Sequence, residues 1–449
     1  MSRVGSVPQT TQQQRHVVAA SYLGWTLDAF DFFIMVFVFG DVAREFGIGV
    51  TALTFAVTLT LSTRALGAYL FGRLADRYGR RPALMASILG FSVLGFCTGL
   101  APNATTFFII RALFGLAMGG EWGVGASLTM ESIPASWRGP VSGLLQAGYP
   151  SGYLLASILY LAYPWLHWRG MFMAGAIPAL LVFYIRNNVP ESPDWSARVK
   201  SAPREPLTSV IGRNLKLTIY AAGLMACFNF FSHGTQDLYP QYLKTQHHIV
   251  GPHLTTIVVI YNIGAMIGGV TFGTLSQRIG RRRAIGLAAA LSLPMVPLWA
   301  FSSTPVLIAV GAFFMQICVQ GAWGVIPVHL NELSPSSVRG TFPGLVYQLG
   351  NFLAALNAPM QSGIADALGH TASISGSDPD AKSRVADAVA HGASVHANGL
   401  DFILRYSDYR WPLAGVAGTA AVLIIVLMLF GREAKDVRMG AFGTGEPVG

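Results

Sequence analysis

The sequence predicts an all-α membrane protein of twelve transmembrane helices arranged as two six-helix pseudo-repeats. Three observations predict it. The chain of 449 residues is 52% hydrophobic and only 11% charged, where a soluble protein carries about 25% charged residues. Apolar runs long enough to cross a bilayer recur along the whole chain. The two halves also repeat at a fixed displacement of 201 residues: Gly72, Arg77, Gly79, Arg80 and Arg81 return as Gly273, Arg278, Gly280, Arg281 and Arg282. Gly120, Trp122 and Gly123 return as Gly321, Trp323 and Gly324, and Glu131, Pro134, Arg138 and Gly139 as Glu332, Pro335, Arg339 and Gly340. Parallel repeats of this kind place a substrate site near the midplane, where the halves meet.

The first apolar run, 17–40, is too long for a secretory h-region and ends without a small-residue cleavage site, so it reads as a spanning helix. Spans follow at 52–75, 82–101, 106–131, 138–162 and 168–187, which closes an N-terminal bundle over 1–187. Residues 188–214 hold Pro190, Pro193, Pro203 and Pro206 among charges and read as a cytoplasmic linker. The second bundle, 215–431, takes spans at 215–243, 252–277, 282–302, 305–330, 338–367 and 409–431. Its long outer loop, 369–405, is rich in Ala, Ser, Asp and His and is expected to be poorly ordered. Residues 432–449 form a short cytoplasmic tail without a domain pattern.

A net charge of +9 could suggest nucleic acid, but its distribution points to a membrane. Of 30 lysines and arginines, this topology places 21 in cytoplasmic segments, 7 on the far side and 2 inside helices. That is the positive-inside pattern with both termini cytoplasmic, as in a plasma (inner) membrane protein. Cys97, Cys227 and Cys318 lie far apart in apolar runs and read as small buried hydrophobes. His247, His248 and His253 cluster in an outer loop without carboxylates, which does not make a metal site. No nucleotide loop, metal spacing or nucleophile motif stands out, so neither an enzyme nor a cofactor is expected. A monomer in lipid is expected.

The polar residues inside the spans carry the functional reading. Asn229, Ser232, His233, Gln236 and Asp237 fall on one face of the seventh span at 100° per residue. A polar stripe inside a spanning helix faces a protein interior or a water-filled cavity. The third, sixth, ninth and twelfth spans have uncharged cores, as lipid-facing helices should. Where the copies differ, Asp28, Asp31, Arg64, Arg111 and Glu121 align with Asn229, Ser232, Ala265, Ala312 and Ala322. Mid-membrane charge is thus concentrated in the first half, which we read as handling protons and the charge of an anion. The second half would orient the solute.

Arg64 lies 12 residues before Asp76, about 18 Å up a helix rising roughly 1.5 Å per residue. Its planar fork suits a carboxylate. A permanent pair with Asp28 or Asp31 is the structural alternative. Asp28 and Asp31 are three apart and share a face; a carboxylate that alternates between a like charge and Arg111 or Arg64 is what proton coupling needs. Glu121, in Gly-Gly-Glu-Trp-Gly, is a second proton candidate or a hydrogen-bonded packing group. His233 and Asp237, one turn apart, orient the solute, relay a proton, or form a satisfied interior pair.

Gly72-Arg-Leu-Ala-Asp76-Arg77-Tyr-Gly79-Arg80-Arg81 resembles the signature loop between the second and third helices of the major facilitator superfamily. The resemblance implies two bundles rocking about a central site, so the fold expected is the major facilitator fold. It also implies a cytoplasmic gate made by Asp76, Arg77, Arg80 and Arg278, completed by Glu131, Arg138, Glu332 and Arg339. The stripe Asn229-x-x-Ser232-His233-x-x-Gln236-Asp237 is similar to a motif of the lactate/pyruvate (monocarboxylate) permeases within the sialate:proton symporter family. That pattern has Thr four residues after the Asp, where this chain has Gln241. Asp28-Ala-Phe-Asp31-Phe-Phe, Arg64 and Tyr347-Gln348-Leu-Gly350-Asn351 also resemble that family. By this resemblance Asn229, His233, Asp237 and Gln348 line the path of a short carboxylate, and Arg64 holds its charge.

The leading expectation is proton-coupled symport of a small organic anion, most simply a short monocarboxylate such as lactate or pyruvate. Alternatives are uptake of sialate or an aromatic acid, proton-driven export (Gly148-Tyr-Pro150-Ser-Gly152 is faintly similar to an antiporter kink), and a transporter-like sensor.

Overall fold

The computed structural model describes residues 9–48, 50–199, 206–375, 377–378, 380–390, 394–398, 401–435 and 437. Most of the expected tail, six linker residues and parts of the outer loop lie outside the described residues. Twelve helical rods are present, and six are single helices: Thr11–Phe46, Val50–Tyr78, Arg80–Gly99, Gly251–Ile279, Pro305–Leu333 and Arg410–Phe430. Six are broken. The fourth is Ala104–Met118 and Glu121–Ser132, the fifth Arg138–Gln146 and Gly148–Tyr160, the sixth Tyr163–Ala174 and Ala179–Asn188. The seventh is Leu215–Gln236 and Tyr239–His247, the ninth Arg281–Ser292 and Met295–Ala300, the eleventh Phe342–Ala354 and Asn357–Leu368. Gly119 and Gly120 stand in the fourth break, and Gly175 and Pro178 bound the sixth, which bends by 41°. Glycine costs helix propensity and proline removes a backbone donor, so breaks collect there. Among the described residues, seven segments are long and apolar enough to cross a membrane as they stand, and the bent sixth rod makes an eighth.

The ends of the rods follow local chemistry. Thr10 closes a capping box with Gln13 at the start of the first helix, and Gly47 ends it in the left-handed region at φ 63°. The turns between rods two and three and between eight and nine are made by Gly79 and Gly280, at φ 117° and 97°. A side chain is unfavourable at both, so the repeated glycine of the signature loop is a backbone requirement. Leu89, Val93, Phe183, Leu180, Leu287, Leu291, Val422 and Leu429 are exposed on the third, sixth, ninth and twelfth rods, in keeping with a lipid-facing role for them.

The halves meet mainly in the part of the molecule nearest the linker. Arg138–Gln146 packs on Gly251–Ile279 and Pro305–Leu333, and Phe342–Ala354 packs on Val50–Tyr78. The approach is backbone to backbone. A Cβ on Gly143 would sit 2.2 Å from the Gly269 carbonyl, one on Gly139 2.5 Å from that of Gly273, and one on Gly123 2.7 Å from Gly344 Cα. Small residues let helices close this far. The opposite ends, Tyr163–Ala174 and Asn357–Leu368, make no comparable contact across the halves. The two bundles are therefore closed against each other on the linker side and part on the other. The described ends of the chain lie on the shut side: the Gln9 amide donates to the Glu191 carbonyl, and Arg138 to that of Val437.

One expectation fails. The described residues of 369–405 carry regular structure where a poorly ordered loop was expected. Strands β1 (His370–Ile374), β2 (Ser394–Asn398) and β3 (Asp401–Tyr406) form an antiparallel sheet in the order β1-β3-β2, joined by the helix Ala381–Ala390. Ile374, Ala381 and Leu404 make its small core, with Val385, Val395, Phe402 and Tyr406 against them. The physical reason is the period-two alternation Phe402, Leu404, Tyr406, which buries one face of β3; the polar composition of the whole segment conceals it.

Candidate transport site

Arg64 projects from the second rod into the interior and is 5% exposed. Its Nη2 donates to Asp28 Oδ2 at 3.2 Å, while its Nε has no hydrogen-bond partner among the described residues. Of the two arrangements open to Arg64, the paired one is present, with part of the guanidinium still unused. Asp28 and Asp31 turn to different arginines. Asp31 turns toward Gly95 and Gly175, and its Oδ2 has no hydrogen-bond partner among the described residues. Its electrostatic neighbour is Arg111, which is 1% exposed. All three Arg111 guanidinium nitrogens lack a hydrogen bond among the described residues. The group lies 4.0 Å from the Phe114 ring centroid, a cation–π contact. The first half therefore holds the ion pair Asp28–Arg64 and, beside it, Asp31 with Arg111 as an electrostatic neighbour but, among the described residues, without an ion pair between them.

Glu121 is 1% exposed and neither carboxyl oxygen is hydrogen-bonded among the described residues. It lines a small cavity with Ser21, Trp25, Trp122 and, from the other half, Pro327. A buried carboxyl without a partner is costly as an anion, which suits a group that holds a proton.

The stripe of the seventh rod divides by partner. Asn229 turns back to the Met225 carbonyl at 2.8 Å. Gln236 Nε2 donates to Gln316 Oε1 at 2.9 Å, and Gln320 Nε2 to Ser232 Oγ at 3.2 Å. His233 and Asp237 face the open side, with side chains 31% and 40% exposed. His233 Nδ1 is 3.2 Å from both Asp237 oxygens, and its Nε2 is 3.4 Å from Asn351 Oδ1. Asn351 Nδ2 donates to Gln348 Oε1 at 3.0 Å. A chain of polar groups thus runs Asp237–His233–Asn351–Gln348 from the seventh rod to the eleventh.

Sequence reasoning missed several residues here. Gln316 and Gln320 are four apart in the apolar tenth span, the same signal that marked the seventh. Tyr149 and Tyr347 are both electrostatic neighbours of Arg64. Tyr347 packs between Trp122 and Trp323, at centroid distances of 4.7 and 5.6 Å, and Trp25 meets Tyr149 at 5.7 Å. One tyrosine from each half therefore neighbours Arg64, each backed by tryptophan.

The residues expected to form a gate lie on the shut side. Arg80 clamps both Glu131 oxygens at 3.0 Å and reaches Asp76 Oδ1 at 3.1 Å. Its repeat, Arg281, clamps Glu332 at 2.9 and 3.0 Å. Asp76 crosses to the other half, accepting from the Gly340 amide at 2.9 Å and from Thr341 Oγ1 at 2.6 Å. Each central carboxylate also faces the other half's arginine: Arg339 is 3.8 Å from Glu131 and Arg138 3.9 Å from Glu332. Arg77 and Arg278 are exposed on the same face. The linker contributes residues the sequence did not reveal as gate parts. Glu191 accepts from the Arg80 and Arg81 amides, Ser192 Oγ donates to Glu131, and Asp194 meets Arg339.

The profile of the Major Facilitator Superfamily matches residues 21–356 and, a second time, 224–444. A probable 4-methylmuconolactone transporter of Cupriavidus pinatubonensis is 32% identical over 361 residues, covering 76% of this chain and 82% of that protein. The sialic acid transporter NanX of Escherichia coli is 28% identical over 348 residues, covering 76% and 85%. A carboxylic acid transporter protein homolog of Saccharomyces cerevisiae is 29% identical over 386 residues, covering 79% of this chain but only 62% of that protein. Among solved structures, the proton:xylose symporter XylE superposes with a TM-score of 0.69 at 18% identity, over 96% of this chain and 98% of XylE. That likeness concerns the fold. The family match over 21–356 and 224–444, together with the signature loop and the twelve rods, makes this chain a membrane transporter of the major facilitator superfamily.

Proposed function

We propose that the chain moves a small organic anion together with a proton across the plasma membrane by alternating access, with its termini and linker in the cytoplasm and as a monomer. The observation that carries this reading is the half-used Arg64: one nitrogen holds Asp28 at 3.2 Å, and Nε has no hydrogen-bond partner among the described residues. An arriving carboxylate competes with Asp28 for the fork. Asp28, released in a buried place, is costly as a lone anion and takes up a proton. One anion and one proton then enter together. Glu121 and Asp31, beside Arg111, supply further proton positions behind it. His233, Asp237, Asn351 and Gln348 orient the rest of the solute, and the neutral groups Asn229, Ser232 and Gln236 brace that wall.

The substrate reading that follows the seventh-rod motif is a short monocarboxylate such as lactate or pyruvate. A second reading is favoured by a specific observation. Tyr149 and Tyr347 neighbour Arg64, Trp25 packs on Tyr149, and Trp122 and Trp323 pack on Tyr347; flat unsaturated acids stack on such rings. The relative named for 4-methylmuconolactone supports that alternative, and NanX supports sialate.

Counterflow of labelled lactate in proteoliposomes tests the proposal, with pyruvate, acetate, benzoate, muconate and sialate as competitors. Competition by lactate and pyruvate alone supports the short-acid reading, and competition by benzoate and muconate supports the flat-acid one. Saturable uptake of none of these acids, in a preparation shown to be folded, overturns the organic-anion assignment.

A further inference from the structure

Glu121 and Trp25 share an anomaly. Both are buried, at 1% and 4% exposed, and both carry polar atoms without a hydrogen-bond partner among the described residues: Oε1 and Oε2 of Glu121, and Nε1 of Trp25. Buried polar groups are normally paired, with protein or with ordered water. The two side chains line one cavity, together with Ser21, Gly125, Leu145 and, from the second half, Pro327. Its size suits about one water. A donor on one wall and an acceptor on another are what a water uses.

The place of the cavity in the fold gives it a task. The first rod runs outward from the linker side, so Asp28 stands one turn, about 6 Å, further from that side than Gly24. The Glu121 carboxyl fills the space beside Gly24: a Cβ there would be 2.5 Å from Oε1. Glu121 therefore lies on the linker side of Asp28, and the charged groups facing it are Asp28 of the first rod and Arg64 of the second. Oε1 is also turned toward Gly125, 3.5 Å from where a Cβ would stand, and so toward the cavity. Pro327 belongs to the tenth rod, so parting of the halves on the linker side uncovers the cavity from that side.

We propose that this cavity is a water site and that Glu121 with its water forms the exit of the proton to the linker side, apart from the path of the anion. The inference rests on the proton-coupled reading above, in which Asp28 takes up the proton when an anion displaces it from Arg64.

Each step balances. When the halves part on the linker side and the anion leaves Arg64, the Asp28 carboxyl gives its proton to Glu121 Oε2. Glu121 releases the proton held on Oε1 to the water, and the water passes a proton to the linker side. Asp28, an anion again, re-forms its pair with Arg64. Glu121 is a neutral acid before and after, as its burial without a partner requires, and a half-turn of the carboxyl resets it. Trp25 Nε1, a donor only, holds the oxygen of the water in place.

Gly125 provides the test, because it binds neither the anion nor the proton. A Cβ there meets Glu121 Oε1 at 3.5 Å and Ser21 at 3.6 Å. These are ordinary contacts, so alanine fits and its methyl takes the place of the water. The full chain is compared in proteoliposomes in two modes, with labelled lactate, benzoate and muconate. Counterflow at equal pH needs no net release of protons. Net uptake driven by an inward proton gradient does, and an enclosed pH dye reports it. Gly125→Ala should slow net uptake and acidification together by about tenfold and leave counterflow at the parent's rate. Gly125→Ser, which brings a hydroxyl to the same place, should recover most of the loss. A Gly125→Ala protein with the parent's net uptake overturns the relay. So does one in which both modes fall together and serine does not rescue, because that is a packing defect. If Gly125→Ala does not fold, Glu121→Gln decides: net uptake at the parent's rate overturns the relay. A folded parent that counterflows none of the acids removes the organic-anion reading and the relay with it, whereas normal counterflow with net uptake untouched by the substitutions removes the relay alone.

Discussion

Asp28 and Asp31 show how three residues of separation become two separate chemistries. An offset of three places them about 60° apart around the helix, because 3.6 residues make a turn. That is near enough to count as one face in a sequence and far enough to select different arginines. Asp28 finds Arg64 at 3.2 Å, and Asp31 looks toward Arg111. The residue types of the candidate site were therefore readable, but their pairing depended on which neighbouring rod lay on each side of the helix. Two predictions belong at this scale. Arg64→Lys keeps the charge and loses the fork, so half-saturation for the transported anion should rise by about 10- to 100-fold in counterflow, the equivalent of about 1.4–2.8 kcal/mol. Asp28→Asn keeps the shape and removes the titration. Exchange of anion for anion should then persist while accumulation driven by a pH gradient disappears, a split that a general folding defect would not give.

At the scale of helices, periodicity found the seventh-rod stripe but could not say that it serves two walls. Ser232 and Gln236 turn to Gln316 and Gln320, whereas His233 and Asp237 face the opening. The breaks in six rods were equally hidden, since a hydropathy run is continuous across Gly119-Gly120 or Ala355-Leu356 while the backbone is not. The outer sheet was missed because its alternation covers only the few residues of β3. By contrast, the turn glycines and gate arginines were legible, because a backbone at φ 117° or a bidentate clamp on Glu131 tolerates few residue types. The glycine contacts across the halves yield a prediction for a helix pair. Gly143 approaches Gly269 so closely that a Cβ would stand 2.2 Å from its carbonyl. Neither backbone can yield cheaply there. Gly143→Leu should prevent closure on the linker side, and a thiol reagent added from that side should reach the gate much faster than in the parent. Labelling at the parent's rate would mean that the rods slide past one another instead of packing at this point.

For the whole molecule, the repeat and its violations together describe a machine with a division of labour. What repeats is a pair of arginine–glutamate clamps: Arg80 with Glu131 and Arg281 with Glu332, related by 201 residues and nearly identical in geometry. What does not repeat is the charge inside the membrane, which stays with the first half, facing neutral amides, an imidazole and Asp237 in the second. Such an arrangement should carry no net charge per cycle if the proton that neutralises Asp28 travels with the anion that displaces it. An uncompensated charge would feel about 2.3 kcal/mol per 100 mV, enough to change the accumulation ratio roughly 50-fold. In liposomes with equal pH on both sides, a potassium/valinomycin potential of either sign should therefore leave initial uptake of the anion unchanged. An inwardly directed proton gradient without a potential should drive accumulation, and a protonophore should abolish it. Uptake that follows the potential at constant pH would require another stoichiometry, with a second proton held by Glu121 or Asp31 as the first place to look. Glu121→Gln and Asp31→Asn, measured in the same liposomes, would then identify which group restores electroneutrality when its charge change is removed.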